Sequence, residues 1–108
     1  MSGILQQAEI YRGIALAAPE EPQERIVAAK AADELLNISG VDASIVVAPD
    51  KNGGSFASAR SIGDINVQII MEKLGGGGNR SAAAAQFAGI AADEAVRKVR
   101  AAIDDYLS

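Results

Sequence analysis

The chain has 108 residues, with 10 lysines and arginines against 14 aspartates and glutamates and neither a histidine nor a cysteine. That length supports one hydrophobic core, burying roughly 60–70% of the surface the unfolded chain exposes. The missing residue types exclude zinc fingers, iron–sulfur centres, disulfide scaffolds, a Ser-His-Asp triad and a Cys-His dyad. A net charge of −4 argues against a module that binds duplex nucleic acid through a broad cationic face. The charge is uneven, however: residues 1–50 carry 3 basic and 8 acidic side chains, whereas residues 51–108 carry 7 and 6. The second half is therefore where a phosphate is tolerated. No window approaches the roughly 18–20 unbroken apolar residues of a membrane span, and Met1-Ser2-Gly3 opens no signal peptide. The expectation is a cytoplasmic segment without direct membrane contact.

Residues 1–10 read as the remnant of an inter-domain linker or helix, too short to be helical alone. Tyr11–Ala18 reads as a strand, stopped by Pro19-Glu20-Glu21-Pro22. From Gln23 to Asn37 the apolar positions Val27, Ala28, Ala31, Ala32, Leu35 and Leu36 fall on one side at helical spacing, and Ser39-Gly40 ends the run. Ala43–Ala48 is short, β-branched and apolar, as in a strand buried on both faces. The turn residues Pro49 to Gly54 then return the chain as a hairpin partner over Ser55–Ser61. Within that partner the two-residue period puts Phe56, Ser58, Arg60 and Ile62 on one face and Ala57, Ala59 and Ser61 on the other. Asp64 or Asn66 can cap a helix ending at Leu74, and Gly75 is its terminator. Ala82–Ala88 is assigned as a strand of small residues, against its alanine-driven helix propensity. Asp93–Leu107 is a helix with the stripe Val96, Val99, Ile103 and Leu107. These elements predict an α/β fold, a mixed β-sheet of about four to five strands packed with three main helices, over residues 11–108.

One tract stands out chemically, Gly75-Gly76-Gly77-Gly78 followed by Asn79-Arg80-Ser81. Backbone N–H groups without Cβ atoms can converge on a phosphate oxygen, with Asn79, Arg80 and Ser81 as side-chain donors. A flexible connector has the same composition. The tract contains no P-loop lysine and its spacing fails the dinucleotide fingerprint. Arg60 is the second candidate: small neighbours leave room for an anion, and a guanidinium fork matches phosphate geometry. The acidic pairs, Asp33-Glu34 among them, read as solvated faces.

The runs Ala31-Ala32-Asp33-Glu34-Leu35-Leu36-Asn37-Ile38-Ser39-Gly40-Val41, Ser58-Ala59-Arg60-Ser61, Ile65-Asn66-Val67 and Met71-Glu72-Lys73-Leu74 with its four glycines closely resemble the C-terminal DHH-associated domain of GdpP-type cyclic di-AMP phosphodiesterases. The resemblance implies a lobe that closes over a cyclic dinucleotide or short oligonucleotide. It implies no cofactor in this chain, and a manganese pair in an upstream DHH lobe of the same membrane-anchored bacterial parent. Phosphate-binding roles carry over to Arg60, Gly76, Gly77 and Gly78, with Asn79, Ser58 and Ser61 as neighbours. Asn79 stands where the family places a histidine, and it donates a hydrogen bond but carries no proton or charge. Without the metal lobe the chain alone is expected to be inactive, and a second copy of the chain is among the partners considered. The alternatives are a lobe of an oligoribonuclease or adenosine bisphosphate phosphatase, or a non-catalytic RNA-docking or association domain like that of alanyl-tRNA synthetases.

Overall fold

The computed structural model describes residues 7–108. In chain order the elements are β1 (Glu9–Tyr11), β2 (Ile14–Ala17), α1 (Arg25–Leu35), β3 (Ala43–Pro49), β4 (Ser55–Ser61), α2 (Val67–Glu72), β5 (Gly77–Gly78), β6 (Ala82–Phe87) and α3 (Ala92–Leu107). The strands form one sheet in the order β1-β2-β3-β4-β6-β5, antiparallel throughout except for β2 and β3. That parallel pair is joined through α1, as a parallel connection requires a crossover.

The α/β class and the mixed sheet match expectation, but the sheet has six strands. The predicted strand Tyr11–Ala18 is a tight hairpin, in which Arg12 and Gly13 both take positive φ (53° and 86°) and reverse the chain in two residues. Glu9 and Ile10, assigned to a linker, are its first strand. Residues 1–6 of that assignment lie outside the described residues. The sixth strand comes from the glycine tract, where Gly77 and Gly78 pair with Ala84 and Ala83.

Side-chain alternation along the inner strands feeds two cores. Ile14, Leu16, Ile45, Val47, Ala57 and Ala59 pack with Val67, Ile70 and Met71 of α2 and Val99 and Ile103 of α3. Ala15, Ala17, Val46, Ala48 and Phe56 face Ala28, Ala31, Ala32 and Leu35 of α1. Both faces are thus covered at the centre, and each fully buried Ile, Val, Leu or Phe contributes about 1.5–3 kcal/mol against the entropy of ordering. Cover is unequal at the β5 end. Helix α1 packs mainly over β3 and β4, with Ala15 and Ala17 of β2 beneath it, whereas α2 packs on β4, β6 and β5 from the other side. Strand β6 shows the consequence: Ala83, Ala85 and Phe87 are buried, while Ala84 and Gln86 are exposed. Among the described residues no helix is long and apolar enough to cross a membrane.

Candidate functional site

The exposed face of β6 and β5, next to the edge of β4 that α1 leaves half-covered at Arg60, is a shelf beside α1, and the candidate site lies on it. Register places Ser58 opposite Ala84 and Arg60 opposite Ala82, and Gly77 opposite Ala84 on the far side of β6. Residues paired across an antiparallel ladder share a face, so Ser58, Arg60 and Gly77 project to one side. They line a hollow of about 350 Å³ together with Gly78, Arg25, Phe56 and the alanines of β6. The alanines matter because larger side chains there would fill the space.

Arg60 is fixed rather than free. Its Nε lies 3.0 Å from Asp33 Oδ1 of α1, and its Nη1 donates to its neighbour Ala59's carbonyl at 2.9 Å. Two nitrogens are thereby anchored, and Nη2 has no hydrogen-bond partner among the described residues. Arg25, the first residue of α1, lays its guanidinium over the Phe56 ring, 5.0 Å from the centroid. Two arginines therefore border the hollow.

The four glycines divide into different jobs. Gly75, at φ 85°, stops α2: its N–H donates to Glu72 O, and the Gly76 N–H donates to Met71 O at 2.8 Å, the bonding pattern of a Schellman motif. Gly76 and Gly78 let β5 press against β6, because a Cβ would sit 2.1 Å from Ala84 O at Gly76 and 2.4 Å from Ala82 O at Gly78. Only Gly77 opens on space, with nothing within 4 Å of where its Cβ would be. A cradle of consecutive free amides does not form, since the Gly75, Gly76 and Asn79 N–H groups all have backbone acceptors. The Asn79 N–H bond to Ala82 O sets the ladder phase and leaves Gly78 in the class of pair whose amide points to the open sheet edge.

The structure thus brings Ser58, Arg60, Gly77 and Gly78 to one place and leaves three expected residues elsewhere. Gly76 is a packing glycine with its amide already bonded. Asn79 ties the β5–β6 turn, its Oδ1 accepting from the Ser81 and Ala82 N–H groups at 2.9 Å. Ser61 is buried on the face toward α2 and α3, where its hydroxyl contacts Asp42 O and the Gly63 N–H, each at 3.3 Å. Strand alternation already put Ser61 opposite Ser58 and Arg60.

The chain matches the DHHA1 domain family over residues 13–108. It belongs to that family. This DHHA1 domain is 47% identical over 106 residues to the cyclic-di-AMP phosphodiesterase GdpP of Geobacillus thermodenitrificans, covering 95% of the chain and 16% of that protein. It is 47% identical over 110 residues to the cyclic-di-AMP phosphodiesterase PdeA of Listeria monocytogenes, covering 97% of the chain and 16% of that protein. The chain therefore spans about one sixth of these relatives. An exopolyphosphatase-related protein from Bacteroides fragilis shares the fold, with a TM-score of 0.82 at 22% identity over 97% of this chain and 33% of that one.

Sequence reasoning missed two residues of the DHHA1 shelf. Asp33 is 62% exposed yet holds Arg60, so its reading as a solvated charge overlooked a partner. Arg25 stands in the first turn of a helix, where a cation opposes the helix dipole; that misfit was its available signal. Phe56 was placed correctly on the face of Ser58 and Arg60. A larger hollow of about 700 Å³ lies between the β3–β4 turn and the start of α3. There Arg97 and Arg100 face Glu20, Asp50 and Asp93, so it offers no excess of positive charge to an anion.

Proposed function

We propose that this DHHA1 domain is the substrate-gripping lobe of a bacterial cyclic di-AMP phosphodiesterase that yields linear pApA. In this reading it lies on the cytoplasmic side of a membrane-anchored parent and closes against that parent's DHH lobe. The observation that carries the reading is the anchored guanidinium of Arg60 sharing a hollow with Gly77 and Gly78. A guanidinium already held at Nε and Nη1 loses little further freedom on binding, and its remaining donors match a phosphate oxygen. Gly77 lets the ligand approach the sheet, Gly78 supplies an edge amide, and Ser58 lines the hollow beside them.

Hydrolysis itself is assigned to the rest of the parent. The residues described here do not fit the manganese pair that the resemblance implies: the sequence has no histidine or cysteine, and no group of three or more metal-ligating side chains converges among the described residues. This lobe binds and orients the phosphodiester, and no bond-breaking step is assigned to its residues.

The test is titration of cyclic di-AMP and pApA into wild-type and Arg60→Ala protein by calorimetry or amide chemical shifts. A charge-assisted phosphate contact is worth about 1.5–3 kcal/mol, so the variant should lose about ten- to a hundredfold in affinity. Equal binding by the two proteins removes Arg60 from the site and the reading with it. Hydrolysis of cyclic di-AMP against short RNA by the intact parent separates the cyclic dinucleotide from the oligoribonuclease alternative.

A further inference from the structure

Resting on the nucleotide-binding reading above, we infer that Arg25 is the platform on which a nucleobase of the substrate stacks while Arg60 holds the adjoining phosphate. Phe56 is the one aromatic residue lining the hollow, but it is 1% exposed and cannot meet a base directly. Arg25 covers it: the guanidinium carbon lies over the ring, 5.0 Å from its centroid. Arginine planes stack on bases as aromatic rings do, and stacking on an aromatic beneath holds the plane in position.

Among the described residues the Phe56 ring is the one partner of this side chain. Arg25 is exposed and makes no salt bridge or side-chain hydrogen bond among the described residues, unlike Arg12, Arg60, Arg97 and Arg100. In the first turn of α1 its charge adds nothing favourable to the helix. Across from it the floor is Ala82, Ala83 and Ala84, with Ala29 on the α1 side, so a flat group can slide in without meeting a long side chain. The hollow, at about 350 Å³, is near the lower limit of roughly 300 Å³ for small-molecule pockets. It suits one nucleotide, with base toward Arg25 and phosphate toward Arg60.

The experiment compares AMP with ribose 5-phosphate, which carries the phosphate and sugar but no base. Both are titrated into the 108-residue protein and its Arg25→Ala, Arg25→Lys and Arg60→Ala variants, followed by amide chemical shifts that also report folding. Both Arg25 variants should weaken AMP by about five- to a hundredfold, the range for loss of one stacking side chain, and leave ribose 5-phosphate unchanged. Lysine is the decisive variant, because it keeps the charge and loses the plane. Arg60→Ala should weaken both ligands. The inference alone is overturned if Arg60→Ala weakens both while Arg25→Ala weakens neither or weakens both equally, or if Arg25→Lys binds AMP like the wild type. Arg60→Ala without effect, beside a base-selective loss in the Arg25 variants, overturns the phosphate role and leaves the stacking platform standing. No binding of either ligand by the wild type overturns both.

Discussion

Replacing Gly76 with alanine should damage the fold, whereas the same change at Gly77 should damage only binding. At Gly76 the new Cβ would lie 2.1 Å from Ala84 O, 2.7 Å from Ala85 Cα and 2.8 Å from Ala85 Cβ. The first two are main-chain atoms of a paired strand, so the strain is relieved only by moving β5 off β6. Overpacking of this kind costs about 1–3 kcal/mol. For a domain of this size each kcal/mol moves the melting midpoint by about 4–8 °C, so Gly76→Ala should melt roughly 5–20 °C lower. Gly77→Ala meets nothing within 4 Å, and relief of unfolded-chain entropy stabilises such a site by about 0.4–1 kcal/mol. Its midpoint should hold or rise by a few degrees, while the methyl projects into the hollow and weakens ligand. The assay is thermal unfolding followed by circular dichroism, paired with ligand titration. A Gly76→Ala protein melting with the wild type, or a Gly77→Ala protein falling as far as Gly76→Ala, refutes the division of labour among the glycines.

Asn66 caps α2, its Oδ1 accepting from the Gln68 and Ile69 N–H groups at 3.0 and 3.3 Å; Asn66→Ala should cost about 0.5–2 kcal/mol, measured by urea unfolding with unchanged m-value. A second prediction concerns pH. The Arg12 guanidinium, followed by the Tyr11 hydroxyl, holds the Asp104 carboxyl below its ordinary 3.8, and the hydrogen bond to Asp104 pushes the Tyr11 phenol above its ordinary 10.0. The folded protein therefore binds fewer protons than the unfolded chain at Asp104, so that contribution is present above pH 3.8 and lost as pH falls through the lowered value. At Tyr11 the folded protein keeps its proton longer, so the contribution is present below pH 10.0 and lost as pH rises beyond it. In melting curves across pH, Asp104→Asn should flatten both limbs; an unaltered acid limb contradicts the assignment.

Much of the shelf was legible because strands obey a two-residue period regardless of context. That rule alone set Phe56, Ser58 and Arg60 side by side, and the β-branched run Ala43–Ala48 located their neighbour. The alanines of β6 became a strand against their propensity because tertiary pairing with β4 overrides a preference worth tenths of a kcal/mol per residue. What escaped was set by contacts between distant segments. Nothing local to Asp33 announces Arg60, 27 positions away. The glycine tract looked uniform because composition does not say which amides are already bonded; the ladder with β6 assigns each glycine its own duty. The Arg12-Gly13 reversal escaped because arginine is an uncommon occupant of a left-handed position.

The link between Tyr11 and Asp104 has a kinetic meaning. These residues are 93 apart in the chain and meet through a phenol and a carboxylate, with Arg12 bridging at 3.0 Å. Closing a loop of that length costs about 4 kcal/mol before any constant is added, whereas an exposed ion pair returns about 0–1 kcal/mol. Such a clasp cannot start folding. Its contribution depends on the intervening strands having brought the first hairpin beside the final helix.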